Sequence, residues 1–151
     1  MSSSRPLPQP REAFVHFEFI ATRWMDNDVY GHLNNVVHYS LFDTAVNRML
    51  IEAGALDIHA GAVIGLVVHT QCHYFESLAF PQTVHAGIRV EQLGRSSVRY
   101  GIGLFGGDAA TTAAIGQFTH VYVDRDTRRP VPLPDALKRV LEPLVRPEPT
   151  A

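Results

Sequence analysis

"NNVVHYSLFDTAVNRMLIEAG", residues 34–54, decides the architecture. Ser40, Thr44, Asn47, Arg48 and Glu52 form a narrow polar stripe at helical spacing, and nearly everything between them is apolar. The spacing predicts one long helix, capped at its start by Asn34 or Asn35 and ended at Gly54. A helix this apolar around its circumference has to be wrapped by other structure rather than laid on a surface.

The wrapping is readable on both sides. Upstream, "FVHFEFIATRW" (residues 14–24) alternates Val15, Phe17, Phe19 and Ala21 with His16, Glu18 and Thr22, the pattern of a half-buried strand. Downstream, four more strands are expected at residues 65–75, 83–93, 97–105 and 111–123. The connections at Gly94 and at Gly106 to Asp108 are short and glycine-bearing, so the last three strands form an antiparallel meander. Pro81 stands just before a strand, where a missing amide is tolerated. A Pro134-initiated segment carries Leu137, Val140, Leu141 and Leu144 on one face and reads as a short terminal helix. The order is that of an α+β fold: a five-stranded antiparallel sheet curled around one long helix, plus a short C-terminal helix. Pairing sheet edges with a second copy protects them, so a homodimer is expected.

At 151 residues the chain makes one domain. Its bounds are read as 13–145, between a Ser- and Pro-rich disordered tail at 1–12 and a C-terminal tail at 146–151. Charged residues are 19% of the chain, below the roughly 25% of an average globular protein, which leaves room for an apolar self-association surface. The net charge of −2 gives no reason to expect nucleic acid or a membrane surface as partner. Cys72 stands alone, so neither an internal disulfide nor a CxxC metal pair can form. No apolar run reaches the ~18 residues of a membrane span, and "MSSSRPLPQPRE" lacks the apolar centre of a signal peptide. A cytoplasmic location is expected by elimination.

Just before the helix lies "DNDVYGHLNN", residues 26–35. Asp, Asn and Gly are the usual residues of turns and caps. One cap, however, does not call for two Asp, a His and two Asn in one connection. A helix beginning here presents free backbone N–H groups and the positive end of its dipole to an oxygen that becomes anionic. A carboxylate a few residues upstream can attack a carbonyl carbon held there, or take a proton from water. Gly31 allows positive φ or close backbone approach. Carboxylate plus oxyanion-binding amides is the minimum set for acyl transfer. Nothing in the residues alone chooses between Asp26 and Asp28.

"RWMDNDVYGHLNN" (residues 23–35) resembles the signature of hotdog-fold thioesterases of the 4-hydroxybenzoyl-CoA thioesterase-like family, roughly D-x-D-x-x-G-H-x-N-N. Asp26, Asp28, Gly31, His32, Asn34 and Asn35 all fall on it. Pro81, the "GRSS" hairpin (residues 94–97) and "VDRDTRRPVPLP" (residues 123–134) resemble later landmarks of the family. The resemblance implies a hydrolase that splits an acyl-CoA into free acid and coenzyme A, with coenzyme A part of the substrate and no cofactor or metal. It implies Asp28 as nucleophile or general base, the backbone N–H of Asn35 on the thioester carbonyl, and Gly31 and His32 shaping the catalytic turn. Asn34 and His38 are then substrate-contacting residues. The acyl group would lie at a subunit interface of a homodimer or a homotetramer built as a dimer of dimers.

The chain departs from the family where His38, not Tyr, follows Asn35 by three residues, and where Val46 replaces an Arg. Asp43 falls where the family often carries Glu or Asp, making it the second candidate carboxylate. Arg95, Ser96, Ser97, Arg128 and Arg129 are candidates for the coenzyme A phosphates, since Arg suits phosphate recognition. His69, His73 and His85 lack the three or four converging ligands of a zinc site and read as ordinary strand histidines. Two other functions use the same fold: a non-catalytic domain that binds acyl-CoA, and an enoyl-thioester hydratase. The hydratase expects a different Asp/His arrangement.

Overall fold

The computed structural model describes residues 5–57 and 59–147. The predicted helix is α1, Asn35–Glu52, and of the two candidate caps Asn34 is the one used, its side chain accepting from the Val36 amide at 3.0 Å. The chain leaves the helix through Gly54, whose φ is +69°. Five strands follow the expected order: β1 His16–Ala21, β2 Val63–Tyr74, β3 Thr83–Leu93, β4 Ser97–Gly106 and β5 Ala114–Asp124. They form one sheet in the order β1-β3-β4-β5-β2, every pairing antiparallel, with the meander over β3, β4 and β5. The short helix is α2, Asp135–Leu141, and it buries Leu137 and Leu141. This is the hotdog architecture.

Helix and sheet meet along Leu41, Phe42, Ala45, Val46, Met49 and Leu50 on α1 and alternate residues of β3 and β4: Val84, Ala86, Ile88, Val90, Val98, Tyr100, Ile102 and Leu104. Phe42 seats on Gly116 of β5 so closely that any Cβ there would lie 2.4 Å from its ring. The helix is wrapped on one side only within the chain. Val36 and Ile51 are exposed on the other, as are Val67 and Val68 on the edge strand β2.

Two expectations fail here. The alternation in β1 is real, but its apolar phase is not the one that faces the helix. Glu18 (6% exposed) and Ile20 are buried, whereas Phe19 is 60% exposed. The inward carboxylate is acceptable because His16 meets Glu18 Oε2 at 2.5 Å and Arg48 of α1 reaches Oε1 at 3.5 Å. The expected N-terminal tail is also docked from Gln9 onward. Gln9 and Thr112 exchange backbone and side-chain hydrogen bonds, and Arg11 donates to the carbonyls of Gly107 and Ala109. Phe14 then packs on Gly87 and Gly103 across the outer sheet face, with the buried Arg89 guanidinium 4.6 Å from its ring centre. The apolar outer phase of β1 belongs to this second layer, in which Phe17 lies against Phe105. At the other end Arg146, assigned to the C-terminal tail, donates its amide to Val90. Of the two expected tails, residues 1–4 and 148–151 lie outside the described residues.

Candidate active site

The polar turn is held by its own residues before anything binds. Asp26 is 4% exposed and accepts from the Arg23 amide at 2.8 Å and from the Arg23 guanidinium at 2.8 and 3.1 Å. Burial opposes its ionisation, but the Arg23 hydrogen bonds and charge prevail and hold its carboxyl below the usual range. Its backbone carbonyl takes the amide of Asn34 at 3.0 Å, which fixes where the helix starts. Asn27 accepts from the Phe80 amide, and Leu33 donates to Leu78 at 2.7 Å. These bonds tie the turn to the chain leaving β2.

Asp28 does a different job. Its Oδ1 accepts from the Tyr30 amide at 2.9 Å, and His32 Nδ1 stands 3.5 Å from its Oδ2. The chain reverses at Gly31, whose φ of +84° is unfavourable for any residue with a Cβ. The reversal brings Asp28, His32 and Asn35 to the wall of one cleft of about 470 Å³. At the helix start the Val36 and Val37 amides are taken by Asn34. The Asn35 amide donates to no acceptor among the described residues. Asn35, its amide free at the positive end of an 18-residue helix, therefore lines the same cleft as Asp28.

His38 stands one turn further in, 3% exposed, on the same cleft. Its ring meets Tyr74 edge-on at 4.8 Å between centres, and its Nδ1 lies 3.3 Å from the Asn34 carbonyl. Burial pushes its pKa down, against the Asn34 and Asn35 carbonyls, which raise it. Tyr74 donates to the Asn35 carbonyl at 3.4 Å. On the same strand, burial pushes the Cys72 thiol up to about 11, so it stays protonated and is no thiolate nucleophile.

Asn34 acts as the cap. Asp43 faces outward on α1 and is engaged by Asn47 at 2.9 Å, outside the cleft. Arg95, Ser96 and Ser97 lie in and beside the β3–β4 hairpin, and Arg128 and Arg129 in the turn after β5. That is the opposite end of the sheet: Ala114, beside Tyr74, is separated from Val121, beside Ser97, by about 23 Å of strand. None of these five lines the cleft. His85 turns to Arg11 at 3.0 Å, away from His69 and His73 on β2.

Sequence reasoning missed the other wall, formed by Tyr30, Leu33 and the segment Tyr74, Phe75, Glu76, Ser77 and Leu78. "YFESL" follows a strand, and its mixture of aromatic and carboxylate was the available signal.

Comparison with known families matches residues 22–141 to the thioesterase-like superfamily. Among solved structures, the PA5185 protein of Pseudomonas aeruginosa superposes with a TM-score of 0.90 at 50% identity, covering 92% of this chain and 97% of that one. Slr0204, a 1,4-dihydroxy-2-naphthoyl-CoA thioesterase from Synechocystis, superposes with a TM-score of 0.76 at 17% identity, covering 87% and 98%. The DHNA-CoA thioesterase of Staphylococcus aureus gives 0.70 at 21%, covering 82% and 80%. At those two identities the likeness is one of fold. No curated protein matches the chain. Family match and fold agree, and the chain belongs to the thioesterase-like superfamily.

Proposed function

We propose that this protein is an acyl-CoA thioesterase that hydrolyses its substrate to a free acid and coenzyme A. One observation carries the reading: Asp28 and Asn35, whose amide has no acceptor among the described residues, line the same cleft. A thioester oxygen set on that amide draws on the helix dipole as it becomes anionic. Asp28 then attacks the carbonyl carbon, or takes a proton from the water that attacks it. In either route the carbon–sulfur bond breaks and the thiolate leaves to be protonated as coenzyme A; after direct attack, water then cleaves the acyl–Asp28 anhydride to release the free acid and restore the carboxylate. His32 steers the Asp28 carboxylate, and Gly31 allows the reversal that aims it.

The same reading includes a homodimer, alone or doubled into a tetramer. Val36, Val67 and Val68 are large apolar side chains left in water by the single chain, and β2 is an open sheet edge. Contact between coenzyme A phosphates and Arg95, Arg128 or Arg129 requires a second copy, because these side chains lie at the far end of their own sheet.

The test is thiol release from a panel of acyl-CoAs by the wild type and by Asp28→Asn. Hydrolysis by the wild type with a loss of at least ~100-fold in the variant is expected. Binding without release marks a non-catalytic acyl-CoA-binding domain and overturns the proposal.

A further inference from the structure

His38 lines the cleft at a position where the family pattern has Tyr, and its hydrogen bonding dictates which way it can act. A carbonyl oxygen only accepts, so the ring nitrogen facing the Asn34 carbonyl, Nδ1, carries the proton. A neutral imidazole then has a bare Nε2, which can accept and cannot donate. Nε2 has no hydrogen-bond partner among the described residues, while the ring is held by Tyr74 and the helix backbone. The carboxylates of the cleft lean the same way: Asp28 and Glu76 line it, and among the described residues no Lys or Arg does. A ligand that covers Nε2 with carbon strips it of water and returns nothing, which disfavours that ligand.

The position sets the reach. The imidazole folds back so that Nδ1 stands 3.3 Å from the Asn34 carbonyl, which shares its peptide unit with the Asn35 amide. A thioester whose oxygen sits on that amide therefore brings acyl atoms a few bonds beyond its carbonyl carbon to the imidazole. From this geometry we infer that His38 is a specificity-determining residue, accepting at Nε2 a hydrogen bond from a hydroxyl on the acyl group a few bonds from the thioester. The preferred substrate class is an uncharged, hydroxyl-bearing acyl thioester. Acyl groups ending in a carboxylate are disfavoured by Asp28 and Glu76. The inference rests on the thioesterase reading of this cleft but can fail separately from it.

The experiment compares matched esters: butyryl-CoA with 3-hydroxybutyryl-CoA, and benzoyl-CoA with 3-hydroxybenzoyl-CoA. The readout is the ratio of kcat/KM within each pair. At least one pair should favour its hydroxylated member by about 10-fold or more in the wild type. His38→Phe should bring that ratio to within about 2-fold of unity, and His38→Gln, which keeps an acceptor, should restore part of it. Equal ratios in the wild type, or a preference that survives His38→Phe, overturn the inference. So does an equal loss on every ester, which would mark His38 as orienting water instead. If no ester is hydrolysed, the thioesterase reading fails, and calorimetric Kd values for the same pairs decide the inference by the same ratios.

Discussion

Asp26 and Asp28 stand two residues apart in one turn, and the fold gives them opposite surroundings. Asp26 is turned inward and saturated by Arg23, while Asp28 lines the cleft with His32 beside it. The inner carboxylate builds the turn, and the outer one stands at the cleft wall. This division separates two kinds of loss. Asp28→Asn is expected to lower turnover by at least ~100-fold with its melting temperature nearly unchanged. Asp26→Asn is expected to lose about 1–2 kcal/mol of stability, since two hydrogen-bonded charges are disturbed. Steady-state kinetics and thermal melts on both variants check the pair; the reverse pattern would exchange the two roles.

His120 sets an acid limit on stability. Its ring is enclosed by Tyr100, Phe118 and Tyr122, and its Nε2 is buried without a partner. Burial pushes its pKa down to about 4 from an ordinary 6.5. The neutral ring is the folded form, so its contribution is complete above pH 6.5. Below that the unfolded chain takes up a proton that the folded one refuses, and stability falls until pH 4. The loss over that window is about 3 kcal/mol. Urea midpoints measured from pH 7 to pH 4 should show the decline, and His120→Phe should flatten it.

The docked N-terminal segment should be part of the folding unit. Phe14 fills the space over Gly87 and Gly103, and Arg89 loses its aromatic cover without it. Phe14→Ala is expected to cost about 3 kcal/mol, read from chemical denaturation. A loss below about 1 kcal/mol would mean the segment merely rests on the sheet.

Self-association is expected to run through β2. Val68 is 59% exposed at an irregularity in the strand's register. A lysine on an open edge opposes strand pairing. Val68→Lys should shift a dimeric wild type toward monomer in size-exclusion chromatography with light scattering, and activity should fall with it. An unchanged mass would place the interface elsewhere.

Several elements are legible because a local period encodes them. The polar stripe from Ser40 to Glu52 predicts α1, and the Asn34 cap sits where the sequence suggests. The glycine-bearing connections at Gly94 and Gly106 predict the meander. β1 misleads because its period is satisfied twice. Phe17 belongs to an outer layer built from the N-terminal segment, and Glu18 is made tolerable by an arginine 30 positions away. Half of the cleft was invisible for the same reason, since Tyr74 and Glu76 reach Asp28 only through strand pairing and the Leu33–Leu78 bond.

By itself, then, the sequence determined the elements, their order and the chemistry of the turn before the helix, all of which depend on neighbours a few residues apart. Tertiary structure alone decided that the Tyr74–Leu78 segment closes one cavity with Asp28, His32, Asn35 and His38, and that Glu18 is buried beside Arg48. Those outcomes depend on contacts between segments distant in the chain, where burial and hydrogen-bond competition are settled only after the sheet has closed over the helix.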